Sequence, residues 1–114
     1  MTLKAFYEKM GADYDEVLRR MMNEQFVLKY LRKFPDDPHF SQLEQSLQEG
    51  DTETACRCAH TLKGLCLSLG LEQLGRHAAE LNGELRTGNT ANAPAHLAAM
   101  RGLYDEIVRW IGEL

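Results

Sequence analysis

Apolar residues recur at intervals of three and four along almost the whole chain, and no stretch alternates with the period of two that a half-buried strand needs. That spacing confines the fold to amphipathic helices. Leu3, Phe6, Tyr7 and Met10 form a first stripe, ended by Gly11. Val17, Leu18, Met21 and Met22 form a second, which Asp13 or Asp15 can cap. Asn23 opens a third, with Phe26, Val27, Tyr30, Leu31 and Phe34 on its apolar side and Pro35 and Pro38 to close it.

Longer stripes follow. Phe40, Leu43 and Leu47 run to Gly50. Asp51 reads as the N-cap of a helix carrying Ala55, Cys58, Ala59, Leu62, Leu65, Cys66 and Leu69, stopped by Gly70. Leu71, Leu74, Ala78, Leu81 and Leu85 make the next, ending near Gly88. Asn92, with Pro94 in the first turn, opens the last, striped by Leu97, Met100, Tyr104, Ile107, Ile111 and Leu114. None of these stripes can be buried alone. The expected fold is all-α: an antiparallel up-and-down four-helix bundle with extra short N-terminal helices. The chain reads as one domain over 1–114, with short helices within 2–34 and bundle helices at about 37–49, 52–69, 71–87 and 93–113.

Its 114 residues, 44% hydrophobic and 26% charged, suit one core and a soluble domain. A net charge of −4 argues against a general nucleic-acid binder, which carries a basic face. No apolar run is long enough to enter and span a bilayer, and no charged-then-apolar leader precedes the first helix, so a cytoplasmic location is expected. Cys56, Cys58 and Cys66 are odd in number and point to different faces of one helix, which suits free thiols and not a disulfide framework.

The stretch CRCAHTLKGLCLSLG, residues 56–70, carries polar residues that the core does not need. At roughly 100° per residue, His60 falls about 160° from Leu62, the centre of the buried stripe. Leu67 lies within about 20° of His60, Cys56 and Gly64 within about 40°, and Lys63 about 60° round. An imidazole, an ammonium, a position without a side chain and an apolar neighbour thus share the outward face. A glycine there has no role in bundle packing, whereas a bulky anionic group docking beside His60 would need the clearance. If Gly70 is the turn, Asn82 and Arg86 fall at or near the depth of His60 on the following helix. Asn82 is expected to hydrogen-bond the imidazole nitrogen that is not reacting, and Arg86 to add a second positive charge.

His60-Thr61-Leu62-Lys63-Gly64, with Ala59 before it and Gly70 closing the helix, resembles the signature of histidine-containing phosphotransfer (HPt) domains. The likeness extends over the helical layout from about Thr2 to Leu114, and its specificity is concentrated in residues 59–70. The resemblance implies a phosphorelay intermediate. His60 would take a phosphoryl group from the aspartate of a response-regulator receiver domain and pass it to another receiver. Lys63 would offset phosphate charge, Gly64 would leave clearance, and Asn82 and Arg86 would give polar support. The implied partners are receiver domains and a sensor histidine kinase. The implied protein is a monomer that needs no cofactor of its own, with Mg2+ on the receiver. It would be a phosphoryl carrier with no ATP-binding kinase activity, in keeping with the lack of a glycine-rich nucleotide loop. The sequence departs from the common pattern after the lysine-glycine pair. Small residues often follow there, but this chain has Leu65, Cys66 and Leu67. Cys56 and Leu67, flanking His60, are the expected partner-docking positions.

Two other readings keep the fold. One is a helical module that binds a receiver without accepting phosphate. The other is a metal site, since Cys56 and His60, four apart, share a face. Cys58 points elsewhere and His77 lies at a different depth, so no metal site is expected there.

Overall fold

The computed structural model describes residues 1–114 and is all-helical, with no strand. Seven α-helices follow one another: α1 (Leu3–Lys9), α2 (Tyr14–Met21), α3 (Glu24–Lys33), α4 (His39–Gln48), α5 (Thr52–Ser68), α6 (Glu72–Arg86) and α7 (Ala93–Ile111). A single 3-10 turn, Phe34–Asp36, separates α3 from α4 at the first proline. The long helices begin and end within about two residues of the spans read from apolar spacing, a margin set by fraying of the terminal turns.

Three helix starts are capped by the side chains expected to cap them. Asp13 accepts a hydrogen bond from the backbone N–H of Glu16, Asn23 from that of Phe26, and Asp51 from that of Thr54. The fourth differs. Asn92 occupies the N-cap position of α7 but makes no side-chain cap; its amide Nδ2 donates instead to Glu84 Oε1, 3.1 Å away on α6. A carboxylate on the neighbouring helix has outcompeted the helix's own N–H groups.

Helices α4 to α7 are linked by side-chain contacts between neighbours. Cys58 meets Gln42 across α4 and α5. Cys56 meets Asn82 near one end of the α5–α6 pair, while Cys66 and Leu67 meet Gly75 near the other. His77 and His96 face each other across α6 and α7. Phe40 stacks obliquely on Tyr104 at 4.8 Å between ring centroids, and Arg101 lies over Phe40 while it pairs with Glu44, so α7 also reaches back to α4.

The N-terminal helices pack onto the turn after α5. Tyr7 is fully buried and its hydroxyl donates to the carbonyl oxygen of Leu69 at 2.7 Å. Burial raises the phenol's pKa well above its ordinary value and keeps it a donor. Arg20 of α2 donates to the carbonyl oxygen of Leu67 at 2.9 Å. Between these two contacts, two of the last carbonyls of α5 gain partners from other helices. The third stripe is only half used: Val27, Leu31 and Phe34 are buried, but Phe26 and Tyr30 are exposed, as is Met22 before them. A ten-residue helix lying on a bundle surface can bury only one side.

Candidate functional site

The site is built on α5. Asp51 starts the helix, its carboxylate accepting from both the backbone N–H and the hydroxyl of Thr54. Ala55, Cys58, Ala59, Leu62 and Cys66 then face the core. Two of these five are alanines and two are cysteines, small side chains that let neighbouring helices come close. Burial of Cys66 pushes its thiol up to about 12, and burial also raises Cys58, so both are inert apolar groups at neutral pH.

With that face committed inward, His60 is turned to solvent. Its imidazole makes no hydrogen bond within the chain. Cys56, Arg57, His60, Thr61, Asn82 and Arg86 line a shallow open groove between α5 and α6. Lys63 is half-buried one turn further along α5, and neither Lys63 nor Arg86 is in an ion pair. Arg57 touches only Glu53 and Thr54 of its own helix, at 3.5 and 3.3 Å, in an exposed pair of the kind that contributes little. The groove therefore has two cationic side chains, Arg57 and Arg86, beside a free imidazole, no carboxylate in its lining, and Lys63 just beyond it.

Arg57 and Thr61 were not singled out from sequence. The signal for Arg57 was present: one turn before His60 it is as near in helical angle as Lys63 is one turn after. Gly64 lies open. A Cβ built on it meets nothing within 4 Å, so no packing within the chain explains the glycine. Leu67 is 44% exposed, yet its side chain leans on Gly75 of α6, whose missing side chain leaves the room.

The role expected for Asn82 needs correction. It is buried, and its amide Nδ2 donates to the carbonyl oxygen of Cys56 at 2.9 Å, with the Cys56 sulfur at 3.4 Å. Matching depth on neighbouring helices brought Asn82 to the right level, but its short side chain points between the helices and binds backbone, not the imidazole. Cys56 and His60 share the groove without forming part of a metal-ligating cluster; the three side chains that do cluster are His77, Glu80 and His96, on the other side of α6.

A family model described as Hpt domain matches residues 29–110 of the 114. The chain belongs to the Hpt domain family. Hpt domains act in histidine phosphotransfer within phosphorelays, and the match spans the whole of α4 to α6 and nearly all of α7. It begins inside α3, so α1 and α2 precede the matched span although Tyr7 and Val17 of those helices are part of the same core. Comparison with curated proteins and with solved structures finds no match. No helix is long and apolar enough to cross a membrane.

Proposed function

We propose that this Hpt domain is a phosphorelay carrier in which His60 accepts a phosphoryl group from the aspartyl phosphate of one receiver domain and delivers it to the aspartate of another. The observation that carries the reading is the free, solvent-facing imidazole of His60 beside Lys63, Arg57 and Arg86 with open space over Gly64.

The chemistry suits those residues. An imidazole nitrogen attacks phosphorus through its lone pair, the bond from phosphorus to the aspartate oxygen breaks, and the carboxylate leaves with the electron pair. Little of the barrier is covalent work, so positioning and charge neutralisation dominate. Lys63 and Arg86 offset the charge of the transferring group, and Mg2+ comes with the receiver. Gly64 admits the receiver's loops to the imidazole. Cys56 and Leu67, on either side of His60 along α5, take part in docking, and Leu67 supplies the apolar contact that selects among receivers. A sensor histidine kinase sits upstream. The carrier is one domain over residues 1–114, with α4 to α7 as an up-and-down four-helix bundle that holds α5 rigid; the contacts at the two ends of the α5–α6 and α6–α7 pairs support that arrangement.

Incubation of the purified protein with phosphorylated receiver domains tests the reading. Wild type takes up label, and His60→Gln does not. Equal labelling of His60→Gln removes His60 as acceptor. Binding of receivers with no labelling of the wild type would make the protein an interaction module instead.

A further inference from the structure

The faces of α6 and α7 that look away from the His60 groove bring two imidazoles together. Nδ1 of His77 and Nδ1 of His96 are 3.1 Å apart, with the rings at 74° to each other. Glu80, one turn after His77 on α6, places a carboxylate oxygen in the same cluster, all three ligand atoms lying within 4.8 Å of one another. We propose that His77, Glu80 and His96 form a zinc site that clasps α6 to α7.

The spacing fits the ion. Zinc holds imidazole nitrogens at about 2.0–2.1 Å, and a tetrahedral angle then separates two of them by about 3.3 Å. Glu84 supplies the outer support that zinc-bound histidines characteristically have. Its Oε1 lies 3.5 Å from Nε2 of His96, with Glu80 Oε2 4.0 Å from the same nitrogen, so a carboxylate stands ready to take the Nε2 proton when Nδ1 binds the ion. Asn92 fixes that carboxylate from the other side, donating to the same Oε1 at 3.1 Å.

The carboxylates beside the two imidazoles are short of cationic partners. Glu84 Oε2 is the one buried side-chain polar atom in the chain without a hydrogen-bond partner. Glu80 and Glu84 have no lysine or arginine partner; each is paired only with His96. Two imidazoles and one carboxylate, with no thiolate, make a donor set suited to zinc and its neighbours rather than to calcium or magnesium. Glu80 is 56% exposed, so an ion can enter from solvent, while His96 is almost buried and anchors the inner side. Three protein ligands leave the fourth position to water.

Zinc titration of the full chain, purified without a histidine tag and stripped with chelator, tests the proposal. Competition against a chromophoric chelator should give about one zinc per chain. His77→Gln and Glu80→Gln should each weaken binding at least tenfold, and Glu84→Gln by roughly tenfold to a hundredfold. His60→Gln and Cys56→Ser should bind as wild type does. His96 is buried and its replacement can unfold the protein, so the half-buried His77 is the decisive position, with helical circular dichroism confirming that the variant is folded. Binding of less than a tenth of an equivalent overturns the site, as does a loss of binding in Cys56→Ser or His60→Gln with His77→Gln unaffected.

Discussion

Asn82 reaches from α6 to the carbonyl oxygen of Cys56, one turn before His60, at 2.9 Å. In an α-helix that carbonyl also accepts the backbone N–H of His60, so the amide of Asn82 grips the turn on which the imidazole stands. Asn82→Ala should therefore lower stability by about 1–2 kcal/mol, the worth of a buried hydrogen bond and a small void. Phosphotransfer through His60 should slow less than it does in Lys63→Ala, because the imidazole itself is untouched. Urea unfolding beside a labelling time course separates the two. A large loss of transfer at unchanged stability would assign Asn82 to the imidazole after all.

Gly64 separates a structural from a docking role more sharply. Nothing lies within 4 Å of the place where its Cβ would be, and an exposed glycine in mid-helix costs about 1 kcal/mol relative to alanine. Gly64→Ala should stabilise the protein by about that amount in thermal or urea unfolding. Gly64→Gln should also be at least as stable as wild type. It should nevertheless bind a receiver about tenfold more weakly, since its side chain occupies the docking space. Undiminished binding of Gly64→Gln by titration would end the clearance argument.

The helical spacing and the polar face of α5 were legible in the chain because both are set by local geometry. A stripe every three or four residues locates helices, and an angle of about 100° per residue places His60, Gly64 and Leu67 outward without knowledge of any neighbour. What depended on another helix was not legible. Asn82 reads as a partner for the imidazole until the distance to the Cys56 carbonyl is known. Asn92 reads as a side-chain cap, although Glu84 takes its amide. His77 and His96 lie nineteen positions apart, and only the packing of α6 on α7 makes them neighbours. Phe26 and Tyr30 look like core until the limited contact of α3 leaves them outside.

The turn after α5 is held from two sides. Gly70 has φ of +73°, and a Cβ there would collide with Cγ2 of Val17 and stand 3.1 Å from Cε1 of Tyr7. Gly70→Ala should cost about 2–4 kcal/mol, combining the left-handed backbone with an overpacked contact. Val17→Ala removes the colliding methyl, so the double variant should be less destabilised than the sum of the singles by about 1 kcal/mol. A double-mutant cycle in urea measures this. Strict additivity would leave only the backbone term.

Asp51 gives α5 a pH dependence whose sign follows from its cap. Hydrogen bonds from the Thr54 hydroxyl and backbone N–H hold its carboxyl below the ordinary value, with help from the charge of Arg57. A carboxyl lowered in the folded state binds its proton more weakly there than in the unfolded chain. Its stabilisation is therefore complete above the unfolded value of about 3.9 and is lost as pH falls through the lower folded value. Asp51→Asn keeps an acceptor for the Thr54 N–H but cannot titrate. At pH 7 the variant should melt below wild type, because a neutral amide interacts more weakly with the positive end of the helix. As the solution is acidified below about pH 4 the two melting curves should converge, since wild type alone loses the charged cap. Melting temperatures across pH 2 to 7 would check this; a difference that stays constant down to the most acidic point would show that the charge of Asp51 contributes nothing to α5.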